Sequence, residues 1–205
     1  MAYCTTTDVK LWGGWTDTDA NDDALFGVLI PYAQQMVDSY TGRTFEIGTG
    51  TNDSDASTDR YFDAESDIRD SYTLELDNDL CKIISITVDG KAISSNSYVT
   101  EPRNDAPYWG VTILGNSTDT WDYGTDSENA INIDGFWTYS TSAPADIKLA
   151  TIILVDWLKK QRNSDLALTA PIIDAQSGVT VMPVQTPTVV RQILNAYRKP
   201  TFLVV

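Results

Sequence analysis

DDALFGVLIPYAQQMVDSYTGRTF, residues 22–45, is the stretch from which the fold is read. Leu25, Leu29, Ala33, Met36 and Tyr40 recur at steps of three and four, so they share one face of a helix, while Gln34, Gln35, Asp38 and Ser39 lie away from it. Asp22 and Asp23 suit the positive end, where the first amide groups lack partners. Gly42 suits the stop, because glycine enters the left-handed conformation without a Cβ penalty. Pro31 interrupts the pattern: it has no N–H to donate and crowds the carbonyl of Gly27. The expectation is a kink, or two short helices meeting at Ile30.

On the N-terminal side, Thr6 or Thr7 is placed to cap a short helix whose apolar face is Val9 and Trp12, ended by Gly13 and Gly14. WTDTDANDD, residues 15–23, then crosses to the long helix as a polar loop. Asp17, Asp19 and Asn21 alternate as in the first half of an EF-hand loop, but Asp22 stands where the turn wants glycine and Val28 where the bidentate glutamate belongs. Asp53, Asp55 and Asp59 fail in the same way, with Ala64 at the twelfth position.

On the C-terminal side the chain from Glu46 to Asp59 reads as an exposed loop, and the period then changes to two. Arg60–Phe62 and Thr73–Leu76 are strand candidates, and KIISITV, residues 82–88, is the clearest. It meets Asp89-Gly90 and Lys91–Ile93, a hairpin signal because both central turn positions need positive φ. Ser97–Thr100 and Gly110–Leu114 continue the sheet around the loop EPRNDAPYW. Asn116–Asn129 is a second acidic loop, and Ala130–Ile133 is expected to turn at Asp134-Gly135 into Phe136–Tyr139. Helix returns with Ser142 as cap, Pro144 and Asp146 in the first turn, and a stripe of Ile147, Ala150, Thr151, Leu154, Trp157 and Leu158. After a long connection from Asn163 to Gln185, a final helix follows Thr186-Pro187, carries Val190, Ile193, Leu194 and Tyr197 on one side, and stops at Pro200.

The order is helix, β insertion, helix. One α+β domain over residues 1–205 is expected, with N- and C-terminal helices packed together and carrying a small inserted antiparallel β-sheet with long acidic loops. Its parts are residues 1–45, helical; 46–141, the β insertion; 142–162, a helix; 163–199, the connection and final helix; and 200–205, a tail.

Composition narrows the function. With 42% hydrophobic and 21% charged residues the chain can bury a core. Its 14 basic and 29 acidic side chains leave a net charge of −15, which repels phosphate backbones and argues against DNA adhesion. No apolar run is long enough to span a bilayer and Met1 opens no basic-then-apolar leader, so no membrane partner and synthesis in a cytoplasm are expected. Cys4 and Cys81 form no metal or redox spacing and read as small apolar fillers.

Catalytic chemistry is not signalled. There is no histidine, P-loop, dinucleotide fingerprint or nucleophile elbow, so no catalytic residue, cofactor or metal is assigned. Asp63 with Glu65, or Asp67 with Asp70, would be the carboxylates of a hydrolase; as a solvated acidic loop they need no such role. Trp157 reads as core, whereas Trp109, Trp121 and Trp137 flank loops and fit either a ligand or partner surface or sheet packing. The Asp-rich loops and these tryptophans together define the rival reading, a calcium-dependent or carbohydrate-binding β module.

The succession MAYCTTTDVK, DDALFGVLI, YTGRTF, KIISITVDG, SYVTEP, INIDGFWTYS, PADIKLATIILVDWLKKQR and LNAYRKP resembles the head-tail connector proteins of tailed phages, the adaptor or head-completion group. The likeness spans nearly the whole chain and lies in order and spacing. Pro31, the loops 48–59 and 116–129 and the apolar TFLVV depart from it. It implies a virion structural protein of the neck, between head and tail: a ring of this chain with itself, twelve-fold, under the portal protein. Such a ring meets a tail or stopper protein on its other side and lets DNA pass without specific binding. In that setting Arg43 is a candidate for a fixed ion pair within or between subunits, or else a solvated surface cation. Phe202, Leu203, Val204 and Val205 are candidate partner-binding residues that add to a neighbouring subunit or the portal, or else fold back on their own domain.

Overall fold

The computed structural model describes residues 2–15, 20–47, 57–162 and 186–199. It divides the chain into two compact units, Arg43–Ala143 and the pair Ala2–Gly42 with Pro144–Val205. The first is β and the second helical, so the chain leaves the helical unit at Gly42 and rejoins it at Pro144.

Four helices are described in the helical unit: α1 Thr6–Gly13, α2 Ala20–Thr41, α3 Ala145–Arg162 and α4 Thr188–Tyr197. Thr5, not Thr6 or Thr7, caps α1: its hydroxyl accepts from the Asp8 amide while the Asp8 carboxylate accepts from the Thr5 amide. Gly14 closes α1 at φ 67°. Val9 is buried as expected, but Trp12 is 53% exposed. Helix α2 runs unbroken through Pro31, so it does not divide at Ile30. Proline forfeits one ladder bond, and buried residues on both sides of it, Phe26 and Ile30 before, Ala33 and Val37 after, hold the helix together.

The buried face of α2 is Phe26, Ile30, Ala33, Val37 and Thr41, one residue round from the expected Leu25, Leu29, Ala33, Met36 and Tyr40. Leu25, Leu29 and Met36 flank it half-buried, and Tyr40 is exposed. Helix α2 lies against both α3 and α4, and the centre of so wide an apolar arc is chosen by those neighbours. Gly42 takes φ 68° and donates to the Asp38 carbonyl at 2.8 Å, which ends α2 as the sequence predicts. Helix α3 is buried on more than one stripe: Ile152, Val155, Asp156 and Lys159 join Ile147, Ala150, Thr151 and Leu154, while Trp157 and Leu158 are half-buried. It touches α1, α2 and α4, which leaves little of its circumference for water.

The β unit has not one small sheet but two antiparallel four-stranded sheets. Its strands are β1 Thr58–Phe62, β2 Ile68–Arg69, β3 Thr73–Leu80, β4 Lys82–Val88, β5 Lys91–Ala92, β6 Tyr98–Glu101, β7 Tyr108–Ile113 and β8 Ile131–Phe136. The orders are β1-β8-β4-β5 and β2-β3-β7-β6. Both sheets feed one core, with Phe62, Ile86, Val88, Ile131 and Ile133 from the first and Leu74, Leu80, Val111 and Ile113 from the second. The β4–β5 hairpin turns at Asp89 (φ 50°) and Gly90 (φ 78°) with Val88 opposite Lys91, as the Asp-Gly pair requires.

Asp134-Gly135 is not a turn. Strand β8 continues through it to Phe136, central in its sheet between β1 and β4. A Cβ on Gly135 would stand 2.6 Å from the Lys82 carbonyl oxygen and 2.8 Å from Leu80 Cδ1, beside the register shift between Ile83 and Ser85. The glycine there permits close approach of two backbones at a bulge, not a reversal of the chain.

Candidate functional site

The acidic loop Asn116–Asn129 is anchored, and its anchors shape a cavity in the β unit. Trp121 is 5% exposed, belongs to the core, and donates its indole N–H to the Tyr72 carbonyl at 2.7 Å. The Asp119 carboxylate accepts from the Ser94 amide at 3.1 Å and faces Lys91 Nζ at 3.5 Å. Hydrogen bonds from Ser97 and Ser94, aided by Lys91, hold that carboxyl below its ordinary range. Gly124 donates to Asp89, and the Ser127 carbonyl accepts from the Ala64 amide at 3.0 Å. Across the mouth, Tyr123 donates to Glu65 at 2.6 Å, which raises the phenol's pKa because the carboxylate favours the protonated hydroxyl.

The resulting cavity holds about 690 Å³. Its walls come from the β1–β2 connection, the β2–β3 turn and the chain after β7. Ile113 and Trp121 are its buried apolar floor, Ile68 and Leu114 stand half-buried above them, and Glu65, Asp119 and Asp122 set the sign of its rim. Above that floor the lining is mixed, with the hydroxyl groups of Ser71, Ser117 and Thr120 beside the three carboxylates. The sequence carries one signal for it: a tryptophan inside a run of acids and hydroxyls is an anchor for that run.

The carboxylates weighed for hydrolysis hold backbone instead. Asp63 accepts from the Asn129 amide and Asp67 from the Asp63 amide, each at 2.9 Å, and Asp70 lies at φ 54° beside Arg69. Among the described residues no group of three or more His, Cys, Asp or Glu side chains is placed to hold a metal ion. Asp17 and Asp19 of the first calcium-like loop, and Asp53 and Asp55 of the second, lie outside the described residues. Of the loop tryptophans, Trp121 is core and Trp137 packs against it, donating to the Thr58 carbonyl at 2.9 Å under the Arg60 guanidinium. Trp109 is 49% exposed and remains a surface residue.

Arg43 forms its ion pair within the chain. Its guanidinium donates to Asp79 at 2.6 Å, with both side chains largely buried, and lies 5.3 Å from the Tyr139 ring centre, whose neighbour is Phe45. Phe202, Leu203, Val204 and Val205 lie outside the described residues. Cys4 is buried, and burial lifts its thiol to about 11, so it is inert as a nucleophile. No helix among the described residues is long and apolar enough to cross a membrane.

Comparison with known proteins agrees on one architecture. The fold is similar to a chain described as "Neck of empty GTA particle computed with C6 symmetry", at TM-score 0.58 and 13% identity, covering 97% of this chain and 91% of that one. It is similar to "Neck of native GTA particle computed with C12 symmetry" at TM-score 0.54 and 13% identity, covering 97% and 93%. A third likeness, to "Virion of native gene transfer agent (GTA) particle", has TM-score 0.52 and 14% identity over 94% and 85%. No curated protein matches the chain. A family model described as "Head completion protein" matches residues 2–200, and by a match of that extent the chain belongs to the head completion protein family.

Proposed function

We propose that the protein is a structural component of the virion neck, a head-tail connector that assembles with itself as a ring, joins the portal to a tail or stopper protein, and extends the DNA channel. The observation that carries this reading is the head-completion family match across residues 2–200. The neck particles of similar fold, described with six- and twelve-fold symmetry, support a closed ring. A ring repeats one heterologous contact, so each copy must present two different complementary surfaces. Two compact units on one chain supply candidate surfaces of different chemistry.

The net charge of −15 supports passage of DNA without adhesion, because a like-charged wall does not hold phosphates. Arg43 enters as a fixed strut: held by Asp79 and Tyr139, it braces the first residues of the β unit. Phe202–Val205 enter as the partner-binding segment.

Electron microscopy of the purified protein with and without its portal tests the proposal. Rings seated on portal are the expected result. A chain that stays monomeric beside portal, and is absent from purified particles, would overturn it.

A further inference from the structure

The outward side of α2 is apolar where a solvated helix would carry charge. In ALFGVLIPYA, residues 24–33, the Tyr32 hydroxyl is the one polar side-chain group, and a helix apolar all round belongs to an interior. Only one side of α2 is buried, at Phe26, Ile30, Ala33 and Val37. Val28 and Tyr32, one turn apart on the other side, are 68% and 55% exposed. In a chain with 14 basic and 29 acidic side chains, every exposed residue from Ala24 to Tyr40 is uncharged. Helix α1 carries a second apolar surface. Leu11 is 83% and Trp12 53% exposed, and Leu11 stands two residues on from the buried Val9, on the opposite side of the helix. The charges beside this pair are neutralised within the chain, Lys10 by Asp23 at 2.5 Å and Asp8 by Lys148 at 2.9 Å.

We infer that Leu11 and Trp12 of one copy pack on Val28 and Tyr32 of the next. Copies that each carry a charge of −15 repel, so contact between them is least opposed where neither surface brings an unpaired charge. The outer side of α2 and the α1 pair both meet that condition. DNA is a poor occupant, because an uncharged face does not attract phosphates. The inference rests on the ring reading above and names its contact: the α1 pair on one side, the α2 face on the other, two different surfaces of the kind a closed ring requires. Trp12 and Tyr32 are the anchors, since large aromatic side chains carry most of the energy of such contacts.

Two full-length variants, Leu11→Cys and Val28→Cys, are mixed, assembled on portal and treated with a short bis-maleimide, with the wild-type chain controlling for Cys4 and Cys81. A covalent dimer that forms in the mixture and in neither variant alone is the expected result. Val28→Glu, a change at an exposed helical position, should leave the melting temperature of the free subunit nearly unchanged. It should lower ring assembly by roughly tenfold or more, because each contact then buries an unpaired carboxylate. Rings without the dimer, or rings from Val28→Glu at the wild-type yield, would overturn the inference and leave the ring standing. So would a dimer of Val28→Cys alone, which pairs two like faces, or its cross-linking to portal, which makes portal the occupant. Absence of rings from the wild-type chain would remove both readings together.

Discussion

Lys159 Nζ lies 2.5 Å from the Asp22 carboxylate and 4.0 Å above the Trp15 ring centre, with the Phe26 ring 4.8 Å away. This one cation ties the last turn of α3 to the first turn of α2. Its side chain is 10% exposed, and ring faces replace the water it has lost. Lys159→Ala should destabilise the protein by about 2–4 kcal/mol, since it strips both the ion pair and the aromatic contact from a buried site. Lys159→Met, which keeps the stem, should cost less, and Asp22→Asn about 1 kcal/mol because Asp22 still reaches water. Urea titration of the three variants checks the order. Equal losses for Ala and Met would mean that the stem contributes nothing.

Two glycines should respond oppositely to a methyl group. Gly135→Ala drives a Cβ against the Lys82 carbonyl and Leu80, and should cost about 1–3 kcal/mol. Gly27→Ala meets nothing within 4 Å inside α2 and should stabilise by about 0.5–1 kcal/mol through helix propensity. Thermal melts of both read the contrast directly. A neutral Gly135→Ala would show that β4 yields at its bulge.

Acid should loosen α1 at its cap. The Thr5 backbone and hydroxyl and Lys148 hold Asp8 at about 2, below its ordinary 3.8, so the folded state binds its proton less readily than the unfolded chain. The stability this contributes is present above the unfolded pKa and is lost as pH falls through the window from about 4 to about 2. Asp38 acts with the opposite sign. Burial raises its pKa despite the Tyr3 hydroxyl, so its contribution is greatest at low pH and fades as pH rises through its folded value. Melting temperature followed from pH 5 to pH 2 should fall less steeply for Asp8→Asn than for wild type. Parallel curves would remove Asp8 as a source of the acid sensitivity.

Breaking the Arg43 strut should be costly on either side. Both side chains are largely buried, so Arg43→Ala leaves the Asp79 carboxylate without its cation and should destabilise by about 3–5 kcal/mol. Arg43→Lys keeps the charge but loses the flat contact with Tyr139 and should recover only part of that. Calorimetry of the two variants distinguishes them. Full recovery by lysine would make the ring contact irrelevant.

Duplex DNA should not bind the free protein measurably at physiological salt, because the charge of −15 opposes counterion release. A gel shift at moderate salt checks this. Tight binding would point to a local basic belt, with Lys160 and Arg162 at the end of α3 as the first residues to replace.

The elements themselves were legible in the sequence where one chemical requirement allowed one answer. Gly42 had to end α2, because its φ of 68° suits few other residues, and Asp89-Gly90 had to turn β4 into β5 for the same reason. Ile147, Ala150, Thr151 and Leu154 of the α3 stripe, and the alternation of β8 as far as Ile133, followed from period alone. What failed were positions where the same letters serve two environments. Asp134-Gly135 carries the letters of a turn, but a central strand uses them to bring two backbones together at a bulge. Leu25 and Phe26 are equally apolar, and only the placement of α3 and α4 put Phe26 inside. The acidic loop 116–129 reads as solvent-facing until Trp121 is seen in the core and Asp119 on the Ser94 amide. Local sequence determines backbone conformation through φ preference and hydrophobic period. The facing of each residue, and with it the burial of Lys159 and the cavity between the loops, was decided by tertiary contacts, because burial depends on neighbours distant in the chain.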